Sequence, residues 1–362
     1  GRGTRVMAVT EALDRLLAGP SAPPGAVVGM AGPEGRRIRA GGVCASGGEP
    51  VTERTRFDLA SVTKVVATTC ALHRLAVLGE LELTDRLSRY LPGTRPGDPT
   101  LSDLLHHRAG LWEWQPLYLA ATEPLAALDG LPLRYPPGQE RHYSDLGFIL
   151  LGEVIGAVTG QGLRHAVAEL VAGPLGLDSI GFGPVDAEVA AGGVGDRVEA
   201  TMVRSGEPYP VLFADPSFEW RDGLTVGEAN DGNAFHAFAG VAGHAGLFGA
   251  ADDLLTLALS LADPAAVELW GSDLREAIFR DGPDAGQASG WRTGPVTRSG
   301  RVGRMLWHPG FTGCALGFVP EFGVAVVMLT NRLLAARPAA TADLWHSVVG
   351  TVGLAVVGQE GL

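Results

Sequence analysis

The sequence predicts an α/β fold in which one antiparallel sheet, built from both ends of the chain, is flanked by helices and interrupted by an inserted, mostly helical region. Three observations point there. Strand-like runs occur near the N-terminus, over Ala26–Ala31 and Arg37–Cys44, and return only late, around Val302–Trp307, Cys314–Val319 and Gly323–Thr330. Between them helical patterns alternate with Gly/Pro-rich loops. With 362 residues, 46% hydrophobic and 19% charged, the chain can bury one large core or two modest ones. We therefore expect a sheet domain from residues 1–66 and 240–362, a helical insertion over 67–239, and an active site between them.

Each element has a local reason. Thr10–Leu17 reads as a short amphipathic helix, and Gly32-Pro33-Glu34-Gly35 joins the first two strands as a hairpin. Phe57-Asp58-Leu59-Ala60 leads to Ser61, from which Val62–Leu78 is helical by pattern with Gly79 as its C-cap. Further helices are expected over Leu101–His107, Leu146–Val158, Leu163–Leu170, Ala251–Leu261 and about Ala339–Val349. Gly183–Gly232 is the least periodic stretch and reads as a long surface excursion.

Composition excludes several classes of function. A formal charge of −12 opposes a nucleic-acid partner, because phosphate binding needs clustered Lys and Arg. No apolar run reaches the ~18 residues of a membrane helix. The leading GRGTRV lacks the apolar core of a signal peptide and reads as a trimmed end, so a cytoplasmic location is expected; a removed signal would leave no trace, which keeps secretion open. Cys44, Cys70 and Cys314 are an odd set without CxxC spacing, so neither a disulfide framework nor a zinc site is expected. Gly192, Gly193 and Gly195 lack the preceding strand that a dinucleotide fingerprint requires. No metal or organic cofactor is expected, and the oligomeric state is not readable.

Of the 28 Lys and Arg residues only one, Lys64, is a lysine. Arginine keeps its charge at any physiological pH, whereas a desolvated lysine can lose its proton, so a site that needs a neutral amine resists replacement. Ser61 lies three residues earlier, on the same face of a helix, which brings a hydroxyl to the amine. A serine at a helix start also has unpaired N–H groups at hand for a developing oxyanion.

Two later triplets complete a constellation: Tyr143-Ser144-Asp145 and His308-Pro309-Gly310. In this order, with Ser61-Val62-Thr63-Lys64, they resemble the S-x-x-K, Y-x-N and K-T-G or H-x-G motifs of the serine β-lactamase and penicillin-binding-protein superfamily. The runs FDLASVTK, YSDLGFILLGEVIGAVTG, AGVAGHAGLFGAADDL and WHPGFTGCALGFVPEFGVAVVMLTNR are similar to its class C-like branch of esterases, D-aminopeptidases, DD-peptidases and transesterases. The resemblance covers nearly the whole chain and implies a β-lactamase-like fold. It also implies that Ser61 is the nucleophile of an acyl-enzyme, with Lys64 or Tyr143 as base and Tyr143 relaying the proton to the leaving group. A base role for Lys64 requires burial to lower its pKa by about 3–5 units. His308 takes the place of the K-T-G lysine and would carry a switchable charge. The backbone N–H groups of Ser61 and Phe311 would form the oxyanion hole, with Asp145, Pro309 and Gly310 contacting substrate.

Two departures stand out against that pattern. Asp145 replaces the Asn; an ionised carboxylate accepts but does not donate, and it favours a charged Lys64. Asp145 could equally cap the helix expected to begin at Leu146, or orient an amine acceptor. Pro309 replaces the Thr and fits an edge strand beside a cleft. His106, His107 and His244 read as structural, while Trp112, Trp114, Tyr118 and Trp220 either wall a pocket or pack the core. The expected function is serine acyl transfer on a small-molecule acyl donor, most simply ester or amide hydrolysis. Transfer to an amine or alcohol acceptor in natural-product biosynthesis is the alternative. A silent binding protein of the same fold is a remote third, disfavoured because a pure binder has no need of a buried lysine.

Overall fold

The computed structural model describes residues 2–93 and 97–357. Its central sheet has seven antiparallel strands: β1 (Gly25–Gly32), β2 (Gly35–Gly42), β3 (Arg292–Arg298), β4 (Arg301–Gly310), β5 (Cys314–Val319), β6 (Val324–Thr330) and β7 (Ala355–Val356), in the spatial order β7-β3-β4-β5-β6-β1-β2. The N-terminal hairpin joins the C-terminal strands through β1 and β6, with Val27 opposite Leu329 and Val28 opposite Met328. Five of these strands lie where the alternation placed them. Two were not foreseen: β3, which carries two Thr, Gly, Pro and two Arg with a single buried apolar residue, Val296, and the two-residue β7.

Period-two alternation sorts the sheet's side chains into two layers. Along β6, Val324, Val326 and Met328 pack against helices Arg2–Leu16 and Thr341–Thr351, through Val9, Leu13, Trp345 and Val348. Ala325, Val327 and Leu329 face the other way, toward the helix Ala251–Ala262 and the larger core. The first helix starts earlier than its amphipathic pattern, at Arg2.

The stretch after Ser61 departs from a plain helix. Ala60–Val62 forms a 3₁₀ turn, Lys64–Thr69 is wound as a π-helix, and only Cys70–Val77 is α-helical. Thr69 Oγ1 donates to Lys64 O at 2.7 Å, which supports the widened turn. Ser61 therefore sits in a tight turn just ahead of a wide one. Ala60 has φ +45°, a strained value for a residue with a Cβ.

Gly183–Gly232 also differs from expectation. It folds into a hairpin, Ala191–Val194 with Leu224–Val226, around the helix Arg197–Ser205, and turns inward over the serine turn. A small sheet of Phe57–Asp58, Leu247–Gly249 and Gly181–Phe182 anchors it beside Ser61. Among the described residues no single helix is long and apolar enough to cross a membrane.

Candidate active site

Lys64 is 0% exposed, and its Nζ donates to Ser61 Oγ at 2.8 Å and to His244 O at 3.2 Å while pairing with Asp145 Oδ1 at 2.7 Å. Asp145 and the His244 carbonyl can only accept, and the Ser61 hydroxyl can accept the third hydrogen of an ammonium. Burial pulls the Lys64 pKa down, yet Asp145, joined by Tyr143, outweighs burial and holds it above its ordinary value. Of the two opposing effects expected on Lys64, the neighbour outweighs burial: the aspartate that replaces the motif's asparagine keeps the lysine charged. The Tyr143 ring lies over the ammonium, with its centroid 4.9 Å from Nζ.

Asp145 does not cap its helix. The helix runs Asp145–Thr159, and its N-cap is Ser144, whose Oγ accepts from Gly147 N–H at 3.2 Å. That frees the Asp145 carboxylate, in the first turn, to reach Lys64. Ser144 N–H donates to His107 Nδ1 at 3.0 Å, and the His107 ring packs 4.7 Å from that of Tyr143. His107 thus holds the Tyr143 segment from behind, and burial pushes its pKa well down.

His308 is 1% exposed and its Nδ1 lies 2.7 Å from Pro309 O. A carbonyl only accepts, so Nδ1 carries the hydrogen and Nε2 keeps its lone pair. Burial, with Arg292 and Lys64 nearby, pushes the His308 pKa well below its ordinary value. Here the reading is corrected: the imidazole is neutral near pH 7 and not a charge switch in that range. Pro309 lies in a strand paired on both sides as far as Trp307, beyond which β3 has ended and only β5 continues, so the missing N–H leaves no ladder gap. Gly310 abuts the serine turn; a Cβ there would lie 2.4 Å from Leu59 O. Neither the Ser61 nor the Phe311 N–H has a protein acceptor among the described residues.

Ser61, Tyr143, Asp145 and Phe311 line one cleft of about 420 Å³. Its other walls come from residues for which the motifs supplied no signal. Trp114, Val198, Met202 and Tyr209 are largely apolar; Glu113, Asp196, Glu199, Asn230 and Asp231 are polar. Of the four aromatics singled out by sequence, Trp114 lines the cleft and Tyr118 donates to Glu199 Oε1 at 2.8 Å. Trp112 packs on the Arg134 guanidinium, and Trp220 lies edge-on to Tyr118. Asp58 is buried below the cleft and accepts from Ala60 N–H at 2.8 Å and Asn230 N–H at 2.7 Å. Burial raises its pKa to about 6. The contact to Ala60 is an Asp-to-i+2 turn, a signal that was open to a reading of Asp58-Leu59-Ala60.

Asp145, Asp231 and His244 have potential ligand atoms within 4.8 Å of one another. The Lys64 ammonium already stands 2.7 Å from Asp145 and supplies the positive charge there. Cys44, Cys70 and Cys314 are unpaired thiols.

Known proteins share this arrangement of chain. A putative D-alanyl-D-alanine carboxypeptidase of Escherichia coli K12 is 32% identical over 311 residues, covering 78% of this chain and 70% of that protein. A class C β-lactamase from Rhodobacter sphaeroides superposes with a TM-score of 0.69 at 21% identity, covering 95% and 98% of the two chains. EstCE1, described as a hydrolase with promiscuous acyltransferase activity, superposes with a TM-score of 0.68 at 23% identity, covering 97% and 98%. The family model for Beta-lactamase matches residues 13–349, nearly the full length, and so the chain is an enzyme of the Beta-lactamase family, within the serine β-lactamase and penicillin-binding-protein superfamily.

Proposed function

We propose that this chain is a serine acyl-transfer enzyme that works through a covalent acyl-Ser61 intermediate and, in its simplest cycle, hydrolyses an ester or amide. The observation that carries the reading is the 2.8 Å contact between Lys64 Nζ and Ser61 Oγ at the floor of an open cleft. Ser61 Oγ attacks the substrate carbonyl. Its proton passes to Tyr143 acting as a phenolate, whose negative charge the adjacent Lys64 ammonium offsets, so that the phenol formed holds the proton for the leaving group. The Ser61 and Phe311 N–H groups receive the carbonyl oxygen as it becomes an oxyanion, each worth about 3 kcal/mol of barrier. Tyr143 returns the proton to the leaving group as the scissile bond breaks. Water then repeats the sequence on the acyl-enzyme and frees Ser61. Neutral His308, buried with its ring 6.0 Å from that of Tyr143, adds no positive charge to the site near pH 7.

Transfer of the acyl group to an amine is the second reading, supported by the cleft's charge. Its lining holds Glu113, Asp145, Asp196 and Asp231, the largely protonated Glu199 and, among the described residues, no Lys, Arg or His, which suits an incoming ammonium better than a carboxylate. In both readings the cleft lies between the domains we assign to residues 1–66 with 240–362 and to 67–239. Intact mass after treatment with a fluorophosphonate tests the shared step: one adduct on the wild type and none on Ser61→Ala is expected. A folded wild type without an adduct overturns it. Product analysis of an activated ester with water and amines in competition then separates hydrolysis from transfer.

A further inference from the structure

A segment outside all three motifs grips the Ser61–Lys64 turn. Leu247 N–H donates to Thr63 Oγ1 at 3.1 Å, Thr68 Oγ1 donates to Gly243 O at 2.6 Å, and Lys64 Nζ donates to His244 O at 3.2 Å. Residues 243–247 therefore set where one of the ammonium's hydrogens points. The His244 imidazole, 0% exposed, anchors that segment, with Nε2 lying 2.7 Å from Asp231 Oδ1. Because a carboxylate only accepts, this nitrogen carries the hydrogen.

Asp231 is anchored in turn. Its Oδ1 accepts from Ala234 N–H at 2.8 Å, and the adjacent Asn230 N–H is held by Asp58, the same carboxylate that holds Ala60 N–H. A closed path runs from the serine turn through Asp58, Asn230, Asp231 and His244 back to Lys64. Asp231 also contributes charge. Burial raises its pKa, but His244, the Ala234 N–H and Lys64 outweigh burial and hold it at about 2.

We propose that Asp231, acting through His244, is a positioning residue for Lys64: it keeps the His244 carbonyl on the ammonium and adds a second carboxylate that retains the lysine's proton beside Ser61. This rests on the acyl-Ser61 reading above. The groups facing the ammonium are Ser61 from its own turn, Tyr143 and Asp145 from the start of the helix Asp145–Thr159, and Asp231 and His244 from the opposite loops. His107 and His308, packed beside Tyr143, are neutral near pH 7, and the Arg141 and Arg292 guanidiniums lie over the Tyr143 ring. Removing the Asp231 charge also eases ionisation of Glu199, but at strongly alkaline pH Glu199 is ionised in either protein, so a displacement there reads Lys64.

The test follows Ser61 labelling by a fluorophosphonate from acid to strongly alkaline pH, separating the saturating rate from the half-saturation, in wild type, Asp231→Asn, Asp231→Glu and His244→Gln. For Asp231→Asn the saturating rate should fall about tenfold with half-saturation nearly unchanged. Its alkaline decline should move about one pH unit toward neutrality. Asp231→Glu restores most of both, while His244→Gln slows labelling with a smaller pH displacement, since the carboxylate remains. A folded Asp231→Asn with an unmoved alkaline limb, or an effect confined to half-saturation, overturns the proposal. Should Asp231→Asn fail to fold, His244→Gln decides: a slower saturating rate at constant half-saturation supports the proposal, and an unchanged rate overturns it. A wild type that does not label overturns the acyl-Ser61 reading and this inference together, whereas normal labelling without the displacement overturns this inference alone.

Discussion

The floor and the roof of the cleft are built on different principles. The floor, from Phe57 to Val77 with the Gly310 end of β4, is packed against the large core; Lys64, Val65, Val66 and Ala67 are all wholly buried. The roof, residues 183–232, is a hairpin and one helix whose apolar side chains stay partly open; Val198 is 42% exposed and Leu212 48%. A buried floor fixes reacting atoms to a few tenths of an ångström, which chemistry requires. A half-open roof can vary its side chains without disturbing that geometry, which is how one scaffold takes different acyl donors.

The largest expected effect lies in the floor. Replacing Lys64 by Met keeps its volume but removes the ammonium, so Ser61 labelling by a fluorophosphonate should fall by about 10³-fold. Stability should fall too, by about 3 kcal/mol in denaturant titration, because the Asp145 carboxylate loses its buried partner. A Lys64→Met protein that labels within tenfold of wild type would make floor and roof alike in tolerance and remove the reason for treating them separately.

The same division explains what was legible in the sequence. Ser61 and Lys64 are three residues apart, and Tyr143 and Asp145 two, so local spacing announced them. Strands β1, β5 and β6 alternate apolar side chains because both layers bury them. By contrast β3 is ordered by its ladder to β4 and offers the eye arginines, glycine and proline, so only tertiary pairing reveals it. Asp231 reaches Lys64 across a separation of 167 positions in the chain by way of His244, and no local pattern encodes such a contact. Lys64's charge was left open in the sequence for a related reason. Burial alone lowers a lysine's pKa, and only the 2.7 Å distance to Asp145 shows that the neighbour wins.

An intermediate effect is expected from Asp145→Asn, which restores the motif's usual residue at the boundary between floor and cleft. Lys64 is held above its unfolded-state pKa, so its contribution to stability is present in full below the unfolded value of 10.5 and is lost as pH rises through the folded one. Wild-type melting temperature should therefore decline at strongly alkaline pH. In Asp145→Asn the protein should start lower at neutral pH and show a shallower alkaline decline, because the amide can accept from Nζ but adds no charge. Parallel melting curves for the two proteins across that range would show that Asp145 acts through packing, and the floor would then owe nothing to this ion pair.

The smallest effect belongs to the roof. Glu199 accepts from Tyr118 Oη at 2.8 Å and from Gly232 N–H at 2.6 Å, both neutral donors. Burial, with Asp231 close by, raises its pKa from 4.5 to about 8. The folded protein thus binds a proton at Glu199 that the unfolded chain has released, so the stability this group contributes is present below pH 4.5 and lost as pH rises to about 8. Glu199→Gln imitates the protonated form. Its melting temperature should match wild type in mild acid and exceed it by a few degrees above pH 8, while the saturating rate of Ser61 labelling changes by less than about twofold. A fall in that rate as large as the one expected for Asp231→Asn would mean that the roof reaches the chemistry through Gly232 and Asp231. Floor and roof would then be a single cooperative unit, with substrate choice and catalytic rate no longer separable.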